Sequence, residues 1–510
     1  MTFLHVFKKN CIISILVLLL LSWGIFLRFH NLGQSSYWMD EGYSVNAALS
    51  TAEKGYPFLD SGMTYDTHLP STYAIAGSVK LFGESNTSTR LPSVIFNILF
   101  LATIFLFTKK FFGIKTALLT TLFLTFSYWE IGWARQARNY ALFQLSFWLS
   151  LYFFWQLLYN TRVIKYVVPW IIFSFLTFFT HRLGLFLLPI YLISFVVVQW
   201  DHLKKNWLHY LFGARSIYVY IFTLLIFIIF GGGVWNTIKE SLSLKIFYLP
   251  QYLAFIKNNF LLVIILALSS LALYFKNKLI RQKISLLLIV YIVPLVIISF
   301  FILLSGHRYL FPVLPALYIL SALTFVYIWE KYRNIFIRIG ISVAVVLMIL
   351  FSKEFQFMPR TFFPLESNRT PIELGQKNKA SQNYYIYTPQ PDWNNAYSFI
   401  KERNTQDDII ISVQPVFNKL YLNDAGYWIA YSLSDKSTPP MSDFYVGAHT
   451  IQNLTELTQL TRNEHGFIIL DFLSMDNRIE QHILEYIHEH MELVYKKETN
   501  YWSRIWIYRF

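Results

Sequence analysis

Long apolar stretches recur along the first two thirds of the chain and stop near residue 352. Each is close to the length that crosses a bilayer as a helix, about 17–25 residues. The first stretch ends in Leu27-Arg28-Phe29 without the small residues of a cleavage site, which favours an uncleaved helix over a signal peptide. The pattern predicts about 11 transmembrane helices, at 11–27, 91–108, 115–130, 139–158, 164–180, 183–199, 214–231, 259–275, 284–304, 309–328 and 335–352.

Basic residues cluster in alternate connections between these stretches. Under the positive-inside rule, all of these connections face the cytoplasm if the N-terminus does. An odd number of spans then places the C-terminus outside, so we expect a multi-pass plasma membrane protein. The clusters are Lys8/Lys9, Lys109/Lys110/Lys115, Arg162/Lys165, Lys204/Lys205, Lys276/Lys278/Arg281/Lys283 and Lys331/Arg333/Arg338.

Two regions are expected outside the membrane. Within a transmembrane domain of residues 1–352, the connection 28–90 is too long and too polar for a simple turn and predicts a first extracytoplasmic loop. Residues 353–510 alternate helix and strand patterns and predict an extracytoplasmic α/β domain. Its expected elements are a helix over 394–403 capped by Asp392, strands over 408–413 and 466–472, and a helix over 479–491.

The composition agrees with a membrane protein and excludes other classes. Hydrophobic residues make up 55% and charged residues 14%, against about 25% charged residues in ordinary globular chains. The net charge of +14 comes mostly from the basic clusters, so it does not indicate nucleic-acid binding. The only cysteine, Cys11, excludes an intramolecular disulfide and a cysteine-based zinc site. An outer region without disulfides favours a prokaryotic plasma membrane.

An acidic pair, Asp40-Glu41, follows shortly after the first span. Two carboxylates beside a membrane are costly unless they are solvated, paired or used in chemistry. The pair is therefore either an exposed acidic turn or a source of a general base for an acceptor hydroxyl. Neighbouring side chains point in different directions, so only one of the two is expected to face a reacting group. We take Asp40 as the candidate base.

The same loop carries Asp66 and His68 just before Pro70, which restrains the backbone ahead of it. This segment predicts a fixed turn that presents both side chains. A metal site built from Asp40, Glu41, Asp66 and His68 is the alternative, although their spacing is not diagnostic of one.

Six arginines fall at the outward ends of the predicted spans, where the positive-inside rule does not require them. Some are expected to reach lipid headgroups or pair with acids. Arginine also binds phosphate through two parallel hydrogen bonds, so an anionic ligand at the outer interface would explain the set. A polyprenyl-phosphate sugar is such a ligand. The six are Arg28, Arg90, Arg135, Arg138, Arg182 and Arg308.

In order and spacing, the segments around these residues resemble the membrane glycosyltransferases of family 39, which include protein O-mannosyltransferases and bacterial aminoarabinose transferases of lipid A. The resemblance covers roughly residues 10–352. Leu69 departs from the Asp-x-His-Pro-Pro-type turn of many relatives, and we find no WWDYG-like motif of the oligosaccharyltransferases. The segments are LRFHNLGQSSYWMDEGYS (27–44), DTHLPSTY (66–73), LFGESNTSTRLPSV (81–94), IGWARQARNYAL (131–142), FFTHRLGLFLLP (178–189) and HRYLFPVLPAL (307–317).

The resemblance implies an α-helical polytopic GT-C fold and the transfer of a sugar, a mannose-like hexose or similar, from a polyprenyl- or dolichyl-phosphate donor. It implies transfer with inversion at the outer face. No cofactor is expected, because the arginines could stabilise the leaving phosphate, and a divalent metal is the alternative. The family's catalytic aspartate corresponds to Asp40, with Glu41 and Asp66 in support. The implied donor-phosphate contacts are Arg138, Arg308, Arg135, Arg182 and Tyr140, and the supporting loop residues are His68 and Arg90.

Two other classes of function stay open. A transporter or flippase for a lipid-linked or anionic substrate would also need outward arginines, but it predicts inverted repeats and interrupted helices that we do not find in the sequence. A sensor or scaffold would leave the acidic pair and the arginines unexplained. The sequence does not specify the sugar, nor whether the acceptor is a protein, a lipid or a glycan.

Overall fold

The computed structural model describes residues 15, 18–159, 163–211, 236, 239–240, 243, 247–275, 278–302, 306–359, 391–405, 407–429, 441–472, 479–498 and 503–510. The helices of its first part are α1 (Leu18–Phe29), α2 (Met39–Lys54), α3 (Leu69–Phe82), α4 (Asn86–Phe112), α5 (Ile114–Phe126), α6 (Tyr128–Ala134), α7 (Tyr140–Tyr159), α8 (Val163–Thr180), α9 (Leu187–Leu211), α10 (Leu249–Ser269), α11 (Lys278–Phe300), α12 (Leu314–Lys331) and α13 (Ile335–Phe351). Short 3-10 helices cover Arg182–Phe186, Ser270–Leu273 and His307–Leu310.

Apolar helices dominate this part, and the chain is an integral membrane protein. Five of the described helical segments are long and apolar enough to cross a membrane: Asn86–Phe112, Tyr140–Tyr159, Arg182–Gln199, Leu249–Leu273 and Lys278–Phe300. Shorter apolar helices accompany them at Leu18–Phe29, Ile114–Phe126, Lys165–Thr180 and Ile335–Phe351. The predicted span 214–231 lies outside the described residues, so the number of 11 spans stays a prediction.

The predicted span 115–130 is interrupted at Ser127. There the backbone turns extended (φ −57°, ψ 120°), and the Ser127 hydroxyl accepts a hydrogen bond from Glu130 N that starts α6. A distant segment pairs with the break, because Tyr128 N donates to Glu354 O at 3.1 Å and Gln356 N donates to Phe126 O at 2.7 Å. The two helices are thus separated by a contact that local periodicity does not reveal.

The connection 28–90, predicted to be the first extracytoplasmic loop, contains two helices, α2 and α3, that pack against each other and lead into α4. Asp40 and Glu41 occupy the first turn of α2, where negative charge is favourable at the positive end of the helix dipole. The helix ends at Gly55, whose left-handed backbone (φ 79°) suits glycine. In α3, Pro70 lies in the first turn, where its missing N–H costs no helical hydrogen bond.

The C-terminal region forms an α/β layer around a six-stranded sheet. Its described elements are α14 (Trp393–Arg403), β1 (Ile409–Ser412), α15 (Pro415–Leu422), β2 (Tyr427–Ile429), β3 (His449–Ile451), α16 (Leu454–Asn463), β4 (Gly466–Asp471), α17 (Gln481–His490), β5 (Glu492–Lys497) and β6 (Ile505–Arg509). The strand order is β3-β2-β1-β4-β6-β5, in which the first four strands are parallel, β6 runs antiparallel to β4, and β5 runs antiparallel to β6. The two predicted helices and two predicted strands are all present, and the Asp392 side chain caps α14 by accepting from Asn395 N.

This region packs directly on the connection 28–90. One hydrophobic cluster combines Tyr37 and Val45 from the loop with Trp393 and Phe417 from the α/β region. Helix α15 lies against α2, where Gly42 leaves so little space that an added Cβ would lie 2.9 Å from a ring carbon of Phe417. The α/β region therefore covers the helix that carries the acidic pair.

Candidate functional site

Asp40 lies in the first turn of α2 between two arginines from distant parts of the chain. Its Oδ2 is 3.5 Å from Arg138 Nη2 and 3.3 Å from Arg308 Nη1. The arginine side chains are 9% and 8% exposed and the aspartate is 16% exposed, so the cluster lines a cleft that water still reaches. Among the described residues, none donates a hydrogen bond to the other carboxylate oxygen, Oδ1, which leaves that oxygen able to accept a proton.

Arg138 is held on the helix that carries Asp40. Its Nη1 donates to the Asp40 backbone carbonyl at 2.7 Å and to Ser44 Oγ at 2.6 Å. From the other side, Ser93 Oγ donates to the Arg138 carbonyl at 3.1 Å. The guanidinium group is therefore fixed beside the carboxylate before any ligand arrives.

The indole of Trp38 lies against both arginines. The centroid of its ring is 5.9 Å from the guanidinium carbon of Arg138 and 5.8 Å from that of Arg308. Trp38 is 1% exposed, and an aromatic face at this distance attracts a cation. The ring helps to hold two like charges close together.

Glu41 points to a different partner. Its two oxygens accept from Arg90 Nε at 2.9 Å and Nη2 at 3.0 Å, and both side chains are almost completely buried. The same carboxylate accepts from the backbone N–H groups of Ala137 at 2.7 Å and Trp38 at 3.3 Å. Arg90 also donates to backbone carbonyls in the segment 32–36. This pair joins three segments of chain around Asp40 and does not face the cleft.

The remaining arginines of the predicted set lie elsewhere. Arg135 donates to backbone carbonyls in the segment 27–31, at distances from 2.6 to 3.3 Å. Arg28 is fully buried and donates to Asn97 Oδ1 at 2.7 Å. Arg182 is exposed at the end of α8. Of the four arginines expected to bind phosphate, the structure brings Arg138 and Arg308 to Asp40.

Asp66 is exposed, and its carboxylate accepts from Tyr56 OH at 2.6 Å and Thr64 Oγ1 at 2.9 Å. These two hydrogen bonds, the one from Tyr56 first, hold the pKa of Asp66 below its usual range. The carboxylate stabilises its own turn and makes no bond to the Asp40 cluster.

His68 lies close enough to Arg138 and Asp40 for their charges to act on its ring. Its Nδ1 is 2.8 Å from Thr180 O and 3.0 Å from Asn139 Nδ2. Its ring lies 5.4 Å from that of His181, which in turn lies 5.5 Å from the ring of Tyr140. Burial, with a smaller contribution from Arg138, lowers the pKa of His68 to about 4, so this histidine is neutral at neutral pH.

Sequence reasoning missed a buried acid of the membrane part. Glu130 is 1% exposed, and its oxygens accept from Asn97 Nδ2 at 3.0 Å and from Gln144 Nε2 at 2.8 Å. The signal was available, because Glu130 is a single acid at the end of the apolar stretch 115–130. The stacking role of Trp38 and the place of His181 beside His68 had no such signal, although both lie within the segments that carry the family resemblance.

The described residues contain no group of three or more histidine, cysteine, aspartate or glutamate side chains arranged to hold a metal ion. Both oxygens of Glu41 already accept hydrogen bonds from Arg90, and Asp66 bonds within its own turn. The alternative metal site of Asp40, Glu41, Asp66 and His68 is therefore not assembled in the structure.

Comparisons with known proteins give a matching family and similar folds. Residues 69–214 match the profile of the family described as "Dolichyl-phosphate-mannose-protein mannosyltransferase". The matched part contains Arg138, Tyr140 and Arg182 and begins one residue after His68. No curated protein matches the sequence significantly.

Two solved structures have the same fold at low sequence identity. ArnT from Cupriavidus metallidurans, bound to undecaprenyl phosphate, is 14% identical with a TM-score of 0.58, and the alignment covers 97% of each chain. The oligosaccharyltransferase AglB from Archaeoglobus fulgidus, in complex with an inhibitory peptide and a dolichol-phosphate, is 12% identical with a TM-score of 0.56. That alignment covers 91% of this chain and 70% of AglB. The resemblance that the motifs indicated is thereby confirmed: residues 69–214 match the mannosyltransferase family, and the chain has the GT-C fold of ArnT and AglB.

Proposed function

We propose that this protein is a membrane glycosyltransferase that moves a sugar from a polyprenyl-phosphate donor to an acceptor hydroxyl on the extracytoplasmic face. The observation that carries the proposal is the placement of one carboxylate, Asp40, between the guanidinium groups of Arg138 and Arg308. A base and a phosphate clamp are the two parts that such a transfer needs.

Asp40 supplies the base. Its Oδ1 accepts the proton of the acceptor hydroxyl while the hydroxyl oxygen attacks the anomeric carbon of the donor sugar. The bond between that carbon and the phosphate oxygen breaks, and its electron pair stays on the phosphate. Attack from the side opposite the phosphate inverts the configuration at the anomeric carbon.

Arg138 and Arg308 supply the clamp. Negative charge builds up on the leaving phosphate, and two fixed guanidinium groups in a largely buried cleft stabilise it without rearranging at the moment of reaction. Arg308 is positioned by a short 3-10 helix and Arg138 by the contacts to α2, so the two reach the phosphate from different segments. Both guanidinium groups lie within 3.5 Å of Asp40 Oδ2, so a single ligand could contact all three side chains.

The nature of the donor is supported by the two relatives in fold. ArnT was solved with undecaprenyl phosphate and AglB with a dolichol-phosphate, both of which carry a phosphate on a polyprenyl chain. We propose the same donor class here, a mannose-like hexose as the sugar, and a protein, lipid or glycan as the acceptor. No metal is needed in this scheme, because the arginines neutralise the leaving group.

The proposed orientation follows from the basic connections. A cytoplasmic N-terminus places α2, the Asp40 cluster and the α/β region outside the plasma membrane. Labelling of single cysteines introduced on the α/β region of intact cells would test this orientation, with a cysteine introduced at Lys115 as the control that should stay protected.

The direct test of the function is reconstitution in lipid vesicles with radiolabelled polyprenyl-phosphate sugars and a panel of acceptors. We expect the label to move from the lipid to an acceptor, and we expect unlabelled polyprenyl phosphate to be released. Translocation of the labelled lipid across the bilayer without transfer would overturn the proposal in favour of the transporter alternative.

A further inference from the structure

His68 has an uncommon backbone conformation for a residue other than glycine. It caps α3 with φ 62° and ψ 25°, in the left-handed region that is costly for a side chain without local hydrogen bonding. The other non-glycine residues with positive φ among those described are two asparagines, Asn31 and Asn423, which tolerate this conformation well. Such strain persists where the surrounding structure fixes a residue, and it concentrates at functional sites.

Two contacts fix the ring and indicate which nitrogen carries the proton. Nδ1 lies 2.8 Å from the carbonyl oxygen of Thr180, which can only accept a hydrogen bond. Asn139 Nδ2 lies 3.0 Å from Nδ1 and 2.9 Å from the same carbonyl, to which it donates. We therefore assign the proton to Nδ1, so that Nδ1 and Asn139 Nδ2 both donate to Thr180 O and Nε2 of the neutral ring is a bare acceptor.

Nε2 is available to a ligand. It hydrogen-bonds to no residue in the part of the chain that the structure describes, and it is not one of the fully buried atoms without a partner, so solvent can reach it. The charged groups that shift the pKa of this ring are Asp40, Arg138 and Arg182. The ring is therefore a neutral acceptor at the edge of the charged site.

A neutral acceptor discriminates between the parts of a sugar phosphate. The phosphate oxygens are themselves acceptors and have no proton to give to Nε2, whereas each free hydroxyl of the sugar has one. The charges of Arg138 and Asp40 both act on the His68 ring, and Asn139, whose Nδ2 lies 3.0 Å from His68 Nδ1, follows Arg138 in the chain. The ring therefore borders the place where a donor phosphate would bind.

We propose that His68 Nε2 binds a hydroxyl of the sugar that is transferred and so contributes to the choice of sugar. The assignment rests on the proposed function, since it needs a donor phosphate at Arg138. It makes the strained turn of α3 part of the donor site and gives His68 a role in binding rather than in proton transfer.

Two substitutions separate the two nitrogens. In His68→Asn, the side-chain amide can replace Nδ1–H toward Thr180 O and tolerates the left-handed backbone, but nothing replaces Nε2. In His68→Gln, the longer amide can place an oxygen near the position of Nε2. His68→Asn is thus the matched control for the fold, and His68→Gln is the test of rescue.

The experiment compares wild type and both variants in the vesicle assay, with the donor that wild type uses and its monodeoxy analogues. We expect His68→Asn to bind unlabelled undecaprenyl phosphate as wild type does, but to lose about 10-fold in kcat/KM, the size of one lost hydrogen bond to substrate. For one monodeoxy donor, the loss of kcat/KM caused by His68→Asn and the loss caused by the missing hydroxyl should not add, because both changes remove the same hydrogen bond. His68→Gln should recover part of the activity.

Three results would overturn the inference. The first is His68→Asn with wild-type activity, and the second is a loss that adds fully to that of every monodeoxy donor. The third is inhibition by a chelator in wild type that His68→Asn no longer shows, which would make His68 a metal ligand. A wild-type protein that transfers no sugar would instead refute the proposed function, so the two failures are distinguishable.

Discussion

At the level of single residues, Asp40 and Glu41 are neighbours in one helical turn, yet their side chains meet different arginines. Glu41 forms a two-point pair with Arg90 in the protein interior, whereas Asp40 faces a cleft beside Arg138 and Arg308. A buried pair contributes little when both partners are present, but breaking it leaves one charge buried alone. The two positions should therefore respond to substitution in different ways.

Glu41→Gln removes one charge from the buried pair with Arg90. We expect it to lower the free energy of unfolding by about 3–5 kcal/mol, because the guanidinium keeps its burial and loses its counter-charge. The measurement is the thermal midpoint of the purified protein in detergent. A midpoint within one degree of wild type would show that the pair does not hold the loop.

His68 gives stability a specific pH dependence. Its pKa is about 4 in the folded protein and about 6.5 in an unfolded chain, so the unfolded state binds more protons between these values. The contribution of His68 is present above pH 6.5 and is lost as the pH falls toward 4. Thermal midpoints of wild type should fall more steeply across this window than those of His68→Asn, and parallel curves would contradict the assignment.

At the level of elements, the apolar periodicity predicted most helices of the membrane part and the strands at 408–413 and 466–472. It did not predict the break at Ser127, because the partner of the break is near residue 355 and leaves no local signal. Helices α2 and α3 were not predicted either, since the loop was interpreted only as a fixed turn around Asp66 and His68.

The site shows the same limit of sequence reasoning. The candidate base and the two arginines beside it were named from the sequence. However, Arg138 and Arg308 lie 98 and 268 positions along the chain from Asp40. Outward location alone could not separate them from Arg28, Arg90 and Arg135, which the structure uses to bind backbone carbonyls and buried polar groups. Only the packing of distant helices makes that distinction.

Helix α2 should tolerate no side chain at Gly42. An added Cβ would lie 2.9 Å from a ring carbon of Phe417, which is 1% exposed and stacked on Trp393. We expect Gly42→Ala to destabilise the protein by about 1–3 kcal/mol through overpacking. Gly77→Ala, in the neighbouring α3 with nothing within 4 Å, is the control and should be neutral or stabilising. Equal thermal midpoints for both variants would contradict the proposed close packing.

At the level of the whole molecule, the α/β region closes over the loop that carries the base. Tyr43 of α2 and Tyr445 of the α/β region stack with 3.9 Å between ring centroids, and Tyr43 OH donates to Gln414 at 3.2 Å. Lys419 pairs with Asp60 of the loop at 3.1 Å. The charge of Asp40 contributes to raising the pKa of the Tyr445 hydroxyl, so the interface between the two regions borders the site.

Tyr445→Ala should weaken this interface, whereas Tyr445→Phe keeps the ring that stacks on Tyr43. We expect the alanine variant to lose about 1 kcal/mol of aromatic stacking in addition to buried area. Limited proteolysis should then release the α/β region faster, and sugar transfer should fall while binding of undecaprenyl phosphate is retained. If proteolysis cleaved the phenylalanine variant as fast as the alanine variant, the hydroxyl and not the ring would stabilise the interface.

The most direct test of the account is the rate of sugar transfer by Asp40→Asn, with Glu53→Gln, an exposed acid on the same helix, as the control. Asparagine keeps the size of the side chain but cannot take the acceptor proton. We expect transfer to fall by a factor of about 100 to 10,000, the usual contribution of a general base, while undecaprenyl phosphate still binds and Glu53→Gln stays active. Transfer by Asp40→Asn at the wild-type rate would contradict the account, because no other base is assigned to this site.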